Sequence, residues 1–375
     1  MYLDLPTPND LVRLADTRAD ACVSIFVPTT PLTQNIGAAQ LTLKNLAKEA
    51  ETQLTNASFD KRRLQMIVEH IADLLDDDDF WAHQATSLAV FVTPDGISTY
   101  RLPTHLQDRV EVSNRFHITP LFRSQAFPDV ALVLALAENS VRVIEMPGEG
   151  PGAELRIPHL PKDMDHAGAR SKSRNVAPGG RFEGAKGELF HRRTYARKID
   201  AALRPIMAGR DVPLILACVA EFETIYRSVN TYSHLAPTAV RGNAEHMTVS
   251  EITEAARPIL RSLHTAQIAH WTGLCQERAK DGRSATDVSE IARAAVAGAV
   301  DVLLLDIDAT LHGTVDEETG ALQVTDGSSA TTYDVADQIA ATVVRKGGRV
   351  IGLRKADMPQ PNSPLAAIYR FVPGA

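Results

Sequence analysis

The stretch DVALVLALAENSVRVIEM, residues 129–146, decides the fold. Two apolar runs, residues 129–137 and 140–146, flank Glu138 and Asn139, and both are rich in Val, Leu and Ile. Runs of this length around a polar pair read as a strand hairpin. Downstream, from Pro147 to about Gly187, periodicity vanishes and Gly, Pro and charged residues dominate. About forty residues without a period is unusual inside a compact domain, where such loops are functional or disordered. A helical period resumes over residues 188–207, followed by an apolar strand at 213–219 and a helix at 221–230. Thr248 opens Thr-Val-Ser-Glu, a capping-box pattern, and starts a helix reaching about Ala279, which Pro258 should kink or split.

Outward from this centre lie two further segments. Upstream, residues 21–27 (ACVSIFV) read as a strand and residues 35–54 as an amphipathic helix with Ala39, Leu43, Leu46, Ala47 and Ala50 along one side. A second helix over residues 60–75 leads into four aspartates, 76–79. Strands at 87–93 and 96–102 enclose a Pro94-Asp95-Gly96 turn. Downstream, a helix (287–300), a strand (301–307), a Gly- and acid-rich loop, a helix (333–346), a strand (349–353) and a last strand (364–371) alternate. Alternation of this kind indicates an α/β domain.

Composition is that of an ordinary soluble globular chain: 375 residues, 44% hydrophobic and 23% charged, with length enough for two or three domains. Acids outnumber bases 46 to 39, a net −7 that argues against a uniformly basic nucleic-acid binder. Aromatics at 5% are too few for a surface built on base stacking. Cys22, Cys218 and Cys275 are widely spaced and odd in number, so neither a disulfide framework nor a Cys-based zinc site follows, and a reducing compartment is expected. The first residues, MYLDLPTPNDLVRLAD, do not read as a signal peptide, and no window approaches a membrane span. A cytoplasmic protein without cofactor or metal is the expectation.

Residues 303–310 (LLLDIDAT) form an apolar strand ending in Asp-x-Asp-x-Thr, which resembles the first motif of haloacid dehalogenase phosphatases. That resemblance implies Asp306 as a nucleophile and Asp308 as a general acid/base. Only 65 residues follow Thr310, too few for the rest of that fold, so a strand end with solvated carboxylates is the stronger reading. Asp76 to Asp79 point in different directions on a helix and read as a solvated helix end. His159, His166 and His191 lie in or beside the long loop, where solvation is their default role. His264 and His270 are spaced poorly for one helical face.

Residues 170–198 (RSKSRNVAPGGRFEGAKGELFHRRTYARK) carry the strongest functional signal. Nine bases, Arg170, Lys172, Arg174, Arg181, Lys186, Arg192, Arg193, Arg197 and Lys198, face only Glu183 and Glu188. This is +7 in 29 residues, against −14 in the other 346. A Gly-rich basic loop feeding a basic helix suits a phosphate backbone. Arg193 and Arg197, four apart, share a helical face. The competing reading is a solvated loop that balances acidic surface elsewhere, as in a protein-interaction scaffold with no RNA contact.

The order hairpin, long basic loop, basic helix, apolar strand resembles the middle domain of archaeo-eukaryotic release factors and Pelota-type rescue proteins. Residues 81–101, 213–220, 226–230 and 347–352 (GGRVIG) resemble the bacterial branch of that superfamily. The resemblance implies three α/β modules: an N-terminal domain (1–118), a release-factor-like middle domain (119–280) and an L7Ae-like C-terminal domain (281–375). It further implies a ribosome or tRNA partner, a translational GTPase as a second partner, and a monomer. In true release factors the loop tip is Gly-Gly-Gln, which positions water to cleave peptidyl-tRNA. Here the tip candidate is Gly179-Gly180-Arg181, and no glutamine occurs between Gln125 and Gln267. Arginine has five donors and no acceptor, so ester hydrolysis is in doubt and a binding role is favoured. The RNA contacts it implies are Arg170, Lys172, Arg174, Lys186, Arg192, Arg193, Arg197 and Lys198.

Overall fold

The fold is mixed α/β. A computed structural model describes residues 4–30, 36–148, 150–167, 185–208, 212–325 and 333–372. The chain divides into two compact units, residues 129–265 and residues 1–128 with 266–375.

In the larger unit, α1 (Pro8–Asp16) precedes β1 (Cys22–Pro28), α2 (Ile36–Asn56), α3 (Lys61–Leu75) and α4 (Asp78–Ala82). The hairpin β2 (Ser87–Thr93) and β3 (Gly96–Leu102), then β4 (Arg109–Ser113) and α5 (Thr119–Ala126), complete this part. The sheet runs β3-β2-β1-β4, every neighbour antiparallel. Central β1 and β2 are buried on both faces, which is why they read as continuous apolar runs. Val23, Ile25, Val27 and Val90 meet Leu43, Ile67 and Ile71 of α2 and α3. Phe26, Ala89 and Phe91 point the other way, into a cluster that also holds Leu303, Leu305, Val335 and Ile339 from the end of the chain. The first and last segments thus contribute to one buried cluster, although each has its own sheet. The four aspartates mark a helix break: Asp76 ends α3, and Asp77 caps α4 by accepting the Phe80 N–H at 2.9 Å.

The smaller unit holds the deciding hairpin, β5 (Val130–Leu136) and β6 (Val141–Pro147), followed by β7 (Ala153–Leu155), α6 (Ala185–Met207), β8 (Leu214–Cys218), α7 (Ala220–Val229) and β9 (Val240–Arg241). Its sheet runs β7-β6-β5-β8-β9, with β5 and β8 parallel and β6 antiparallel to β5. Ala131, Val133, Ile144, Met146 and Ile215 pack on one face against Ile252, Ala256 and Leu260 of α8 (Val249–Ala279). The capping box holds: Thr248 N–H donates to Glu251 at 2.8 Å, and Glu251 N–H donates to Thr248 Oγ1 at 3.2 Å. Pro258 does not split α8, which runs as one 31-residue helix. β7 lies inside the stretch read as aperiodic, because an edge strand of three residues shows no apolar alternation.

Returning to the larger unit, β10 (Ser284–Ala285), α9 (Val288–Val296), β11 (Val300–Asp306), β12 (His312–Val315), β13 (Leu322–Val324), β14 (Tyr333–Asp334), α10 (Val335–Arg345), β15 (Arg349–Leu353) and β16 (Leu365–Tyr369) follow. One sheet runs β10-β16-β11-β15, with β11 parallel to β15, and a small one runs β13-β12-β14. The helix read as reaching Val300 stops at Val296, because Gly298 (φ 71°) turns the chain into β11.

Candidate functional site

The basic helix α6 is positioned by its apolar side. Tyr195, Ala196, Ile199, Leu203 and Met207 are buried at helical spacing. The Tyr195 hydroxyl donates to the Ala137 carbonyl at 3.2 Å, tying the helix to the end of β5. Burial pushes the Tyr195 phenol up, so it stays a donor. With that stripe inward, Phe190, Arg193, Arg197 and Ala201 are exposed.

The four described bases of this region separate into two pairs. Arg192 donates to Glu188 and to Glu221 of α7, each at 2.6 Å, and its guanidinium lies 5.5 Å from the Phe222 ring centroid. Its task is to join α6 to α7. Lys198 donates to the Ala167 carbonyl at 2.5 Å, holding the chain that leads towards the basic stretch. That chain is itself turned by Asp163, which accepts from His166 N–H and sits 2.7 Å from His166 Nδ1. Arg193 and Arg197 are both exposed one turn apart, and no carboxylate among the described residues pairs with either. Arg170, Lys172, Arg174, Gly179, Gly180 and Arg181 lie outside the described residues, as does the side chain of Lys186. Sequence spacing located Arg193 and Arg197. It could not reveal that Arg192 is committed to Glu221, 29 positions away.

Phe190 was not singled out by sequence. It is 64% exposed, and its ring lies 5.9 Å from the His191 ring, edge to face. The signal that could have found it is its place three and seven residues before Arg193 and Arg197.

The other carboxylates are engaged structurally. Asp306 is buried rather than solvated, and it accepts the Asp308 N–H at 3.0 Å to close the turn after β11. Burial pushes its carboxyl up, opposed by that N–H. Asp308 pairs with Arg354 at 2.7 Å. Among the described residues no three His, Cys, Asp or Glu side chains cluster so as to hold a metal ion, and no helix is long and apolar enough to cross a membrane. A buried group that the sequence did not flag lies elsewhere in the larger unit. His117 Nδ1 sits 3.6 Å from Asp337 and 3.9 Å from Asp334. Asp337 accepts the N–H groups of Ile118 and Thr119 and the Thr119 hydroxyl, at 2.6–2.7 Å.

Residues 128–266, which span the smaller unit and its basic helix, match the family described as bacterial archaeo-eukaryotic release factor family 11. This segment, rather than the whole chain, is similar to the bacterial branch of the archaeo-eukaryotic release factor superfamily. No curated protein matches the chain. Solved structures to which the chain is similar include Dom34 of S. cerevisiae, a translation termination-like factor interacting with Hbs1. That alignment has 11% identity, 77% of this chain and 80% of that one, and a TM-score of 0.43. Pelota of Archaeoglobus fulgidus aligns with 13% identity, 99% and 95% coverage and a TM-score of 0.31. The archaeal termination factor aRF1 aligns with 14% identity, 97% and 98% coverage and a TM-score of 0.24.

Proposed function

We propose that the protein is a translation-associated factor that binds the ribosome or tRNA in a rescue, hibernation or release-like role. One observation carries the reading. The segment matching a release-factor family encloses the +7 stretch, and the helix of that stretch presents Arg193 and Arg197 outward without acidic partners among the described residues. Unpaired guanidinium groups on one face suit phosphate contacts, which fix a protein on nucleic acid. In this reading Arg170, Lys172, Arg174 and Lys186 extend the contact, Lys198 and Arg192 hold the scaffold beneath it, and Gly179-Gly180-Arg181 is the loop tip. Its Arg181 favours binding or charge stabilisation over glutamine-dependent hydrolysis of peptidyl-tRNA.

The finer architecture belongs to the same proposal: an N-terminal module 1–118, a middle module 119–280 and an L7Ae-like module 281–375, the first and last joined through one buried cluster rather than folding autonomously. So do a cytoplasmic location, a monomeric state and delivery by a translational GTPase. Co-sedimentation with ribosomes across a salt series tests the function. Binding that weakens steeply with salt and is lost when Arg170, Arg174, Arg193 and Arg197 become Glu is the expected result. Absence of binding at low salt would refute it in favour of a protein-interaction scaffold.

A further inference from the structure

Phe190 is an exposed aromatic side chain on a helix that has an apolar face to bury. The inward stripe of α6 is filled by Tyr195, Ile199 and Leu203, whereas Phe190 stands 64% exposed on the outward one. Burying a phenyl ring is worth far more than leaving it in water, and a single exposed apolar residue on its own carries no meaning. Its companions give it meaning. At 1.5 Å per residue, Arg193 follows about 4.5 Å along the axis and Arg197 about 10.5 Å, on the same face. Both guanidinium groups are exposed. The nearby acids Glu188 and Glu221 both pair with Arg192 on the neighbouring flank, not with Arg193 or Arg197.

The outward stripe is thus one ring followed by two cations with no carboxylate partner among the described residues. Single-stranded nucleic acid is bound by this pairing: a π-face takes a base, and cations spaced along the groove take the phosphates beside it. A protein partner would call for a wider apolar core. The adjacent exposed Leu189 does not widen it, since it turns towards Glu188, Arg192 and Ile225 in a hollow of about 420 Å³. We propose that Phe190 is a base-stacking residue, taking an unpaired nucleotide of single-stranded RNA whose phosphates lie on Arg193 and Arg197. The low aromatic content of the chain argues against an extended stacking surface but not against one ring in the right place. The proposal rests on the ribosome- or tRNA-binding reading and adds the class of nucleic acid and the residue that grips its base.

The test uses the full chain with two probes: a short unstructured oligoadenylate, and intact ribosomes. Phe190→Ala should weaken oligoadenylate binding about tenfold at every salt concentration without changing the salt slope, since stacking releases no counterions. Arg193→Ala and Arg197→Ala should each flatten that slope by about 0.7. Phe190→Trp should restore affinity, and its added indole emission should be quenched by the oligonucleotide, wild type serving as the background for Trp81 and Trp271. Circular dichroism checks that each variant keeps the wild-type fold. If wild type binds ribosomes but not oligoadenylate, or if Phe190→Ala binds it as wild type does, the stacking proposal falls while the ribosome reading stands. Loss of ribosome binding in Phe190→Ala with unchanged oligoadenylate affinity would assign the face to a ribosomal protein and overturn the proposal. No binding of wild type to ribosomes at low salt overturns the parent reading.

Discussion

Asp337, at the start of α10, concentrates more electrostatic tension than any residue of the basic helix. It is 4% exposed, it accepts from three donors, and Asp334 and His117 face it within the same buried group. Burial, and then the charge of Asp334, push the Asp337 carboxyl up to about 7, and burial pushes that of Asp334 up to about 6. Burial, with Arg109 behind it, lowers His117 well below its usual range, so the ring stays neutral. The signs follow from linkage. A carboxyl raised in the folded state contributes stability that is complete below its unfolded value and lost as pH rises through about 6 to 7. A lowered histidine contributes stability present above about pH 6.5 and lost below it. Above that pH only the carboxylates titrate, so the wild type should lose stability between about pH 6.5 and pH 8. Asp334→Asn keeps an N-cap residue of comparable quality and removes one of the two charges. It should flatten this dependence and leave the variant about 1 kcal/mol more stable than wild type at about pH 8. Urea midpoints at the two pH values decide it; an unchanged slope would show that the pair is not what titrates.

At the scale of elements, α6 and β15 show what pattern reveals and what it hides. The i, i+4 spacing of Arg193 and Arg197 was legible, and so was the helix, because apolar residues recur with its period. The bond from Arg192 to Glu221 was not, since it depends on how α6 meets α7. Arg192→Ala should therefore lower stability by about 1 kcal/mol through the lost pairing, leaving the salt slope of ribosome binding unchanged. Arg193→Ala should do the reverse, lowering the slope with no shift in melting temperature. β15 was legible as Arg-Val-Ile-Gly-Leu, but the reason for its glycine was not. A Cβ on Gly352 would lie 2.6 Å from the Arg123 backbone nitrogen and 2.9 Å from its Cα, in α5. Backbone cannot swing aside as a side-chain tip does, so Gly352→Ala should cost about 1–3 kcal/mol, read from the urea midpoint. α5 itself escaped the sequence reading, because eight residues hold no clear period and its place is set by this contact. β4 escaped for a related reason: Arg109–Ser113 is a half-buried edge strand with charges at alternate positions. α1 also escaped the sequence reading; in the structure Thr7 and Asp10 close a capping box at its start.

At the scale of the molecule, local period located strands on both sides of the larger unit but could not say which apolar faces meet. Charge behaves in the same way, since a net −7 conceals a +7 segment that only position reveals. The consequence for stability is definite. Phe26, Ala89 and Phe91 of the first segment and Leu303, Leu305 and Val350 of the last belong to one buried cluster. Residues sharing a core open together, whereas modules with separate cores open independently. Leu303 is fully buried, so Leu303→Ala should cost about 2–5 kcal/mol through lost burial and the cavity left behind. In native-state hydrogen exchange, the loss should reach the amides of β1 and β2, distant in sequence, as well as those of β11 and β15. Were residues 1–118 an autonomous module, protection in β1 and β2 would be indifferent to Leu303, and only the strands of the last segment would exchange faster.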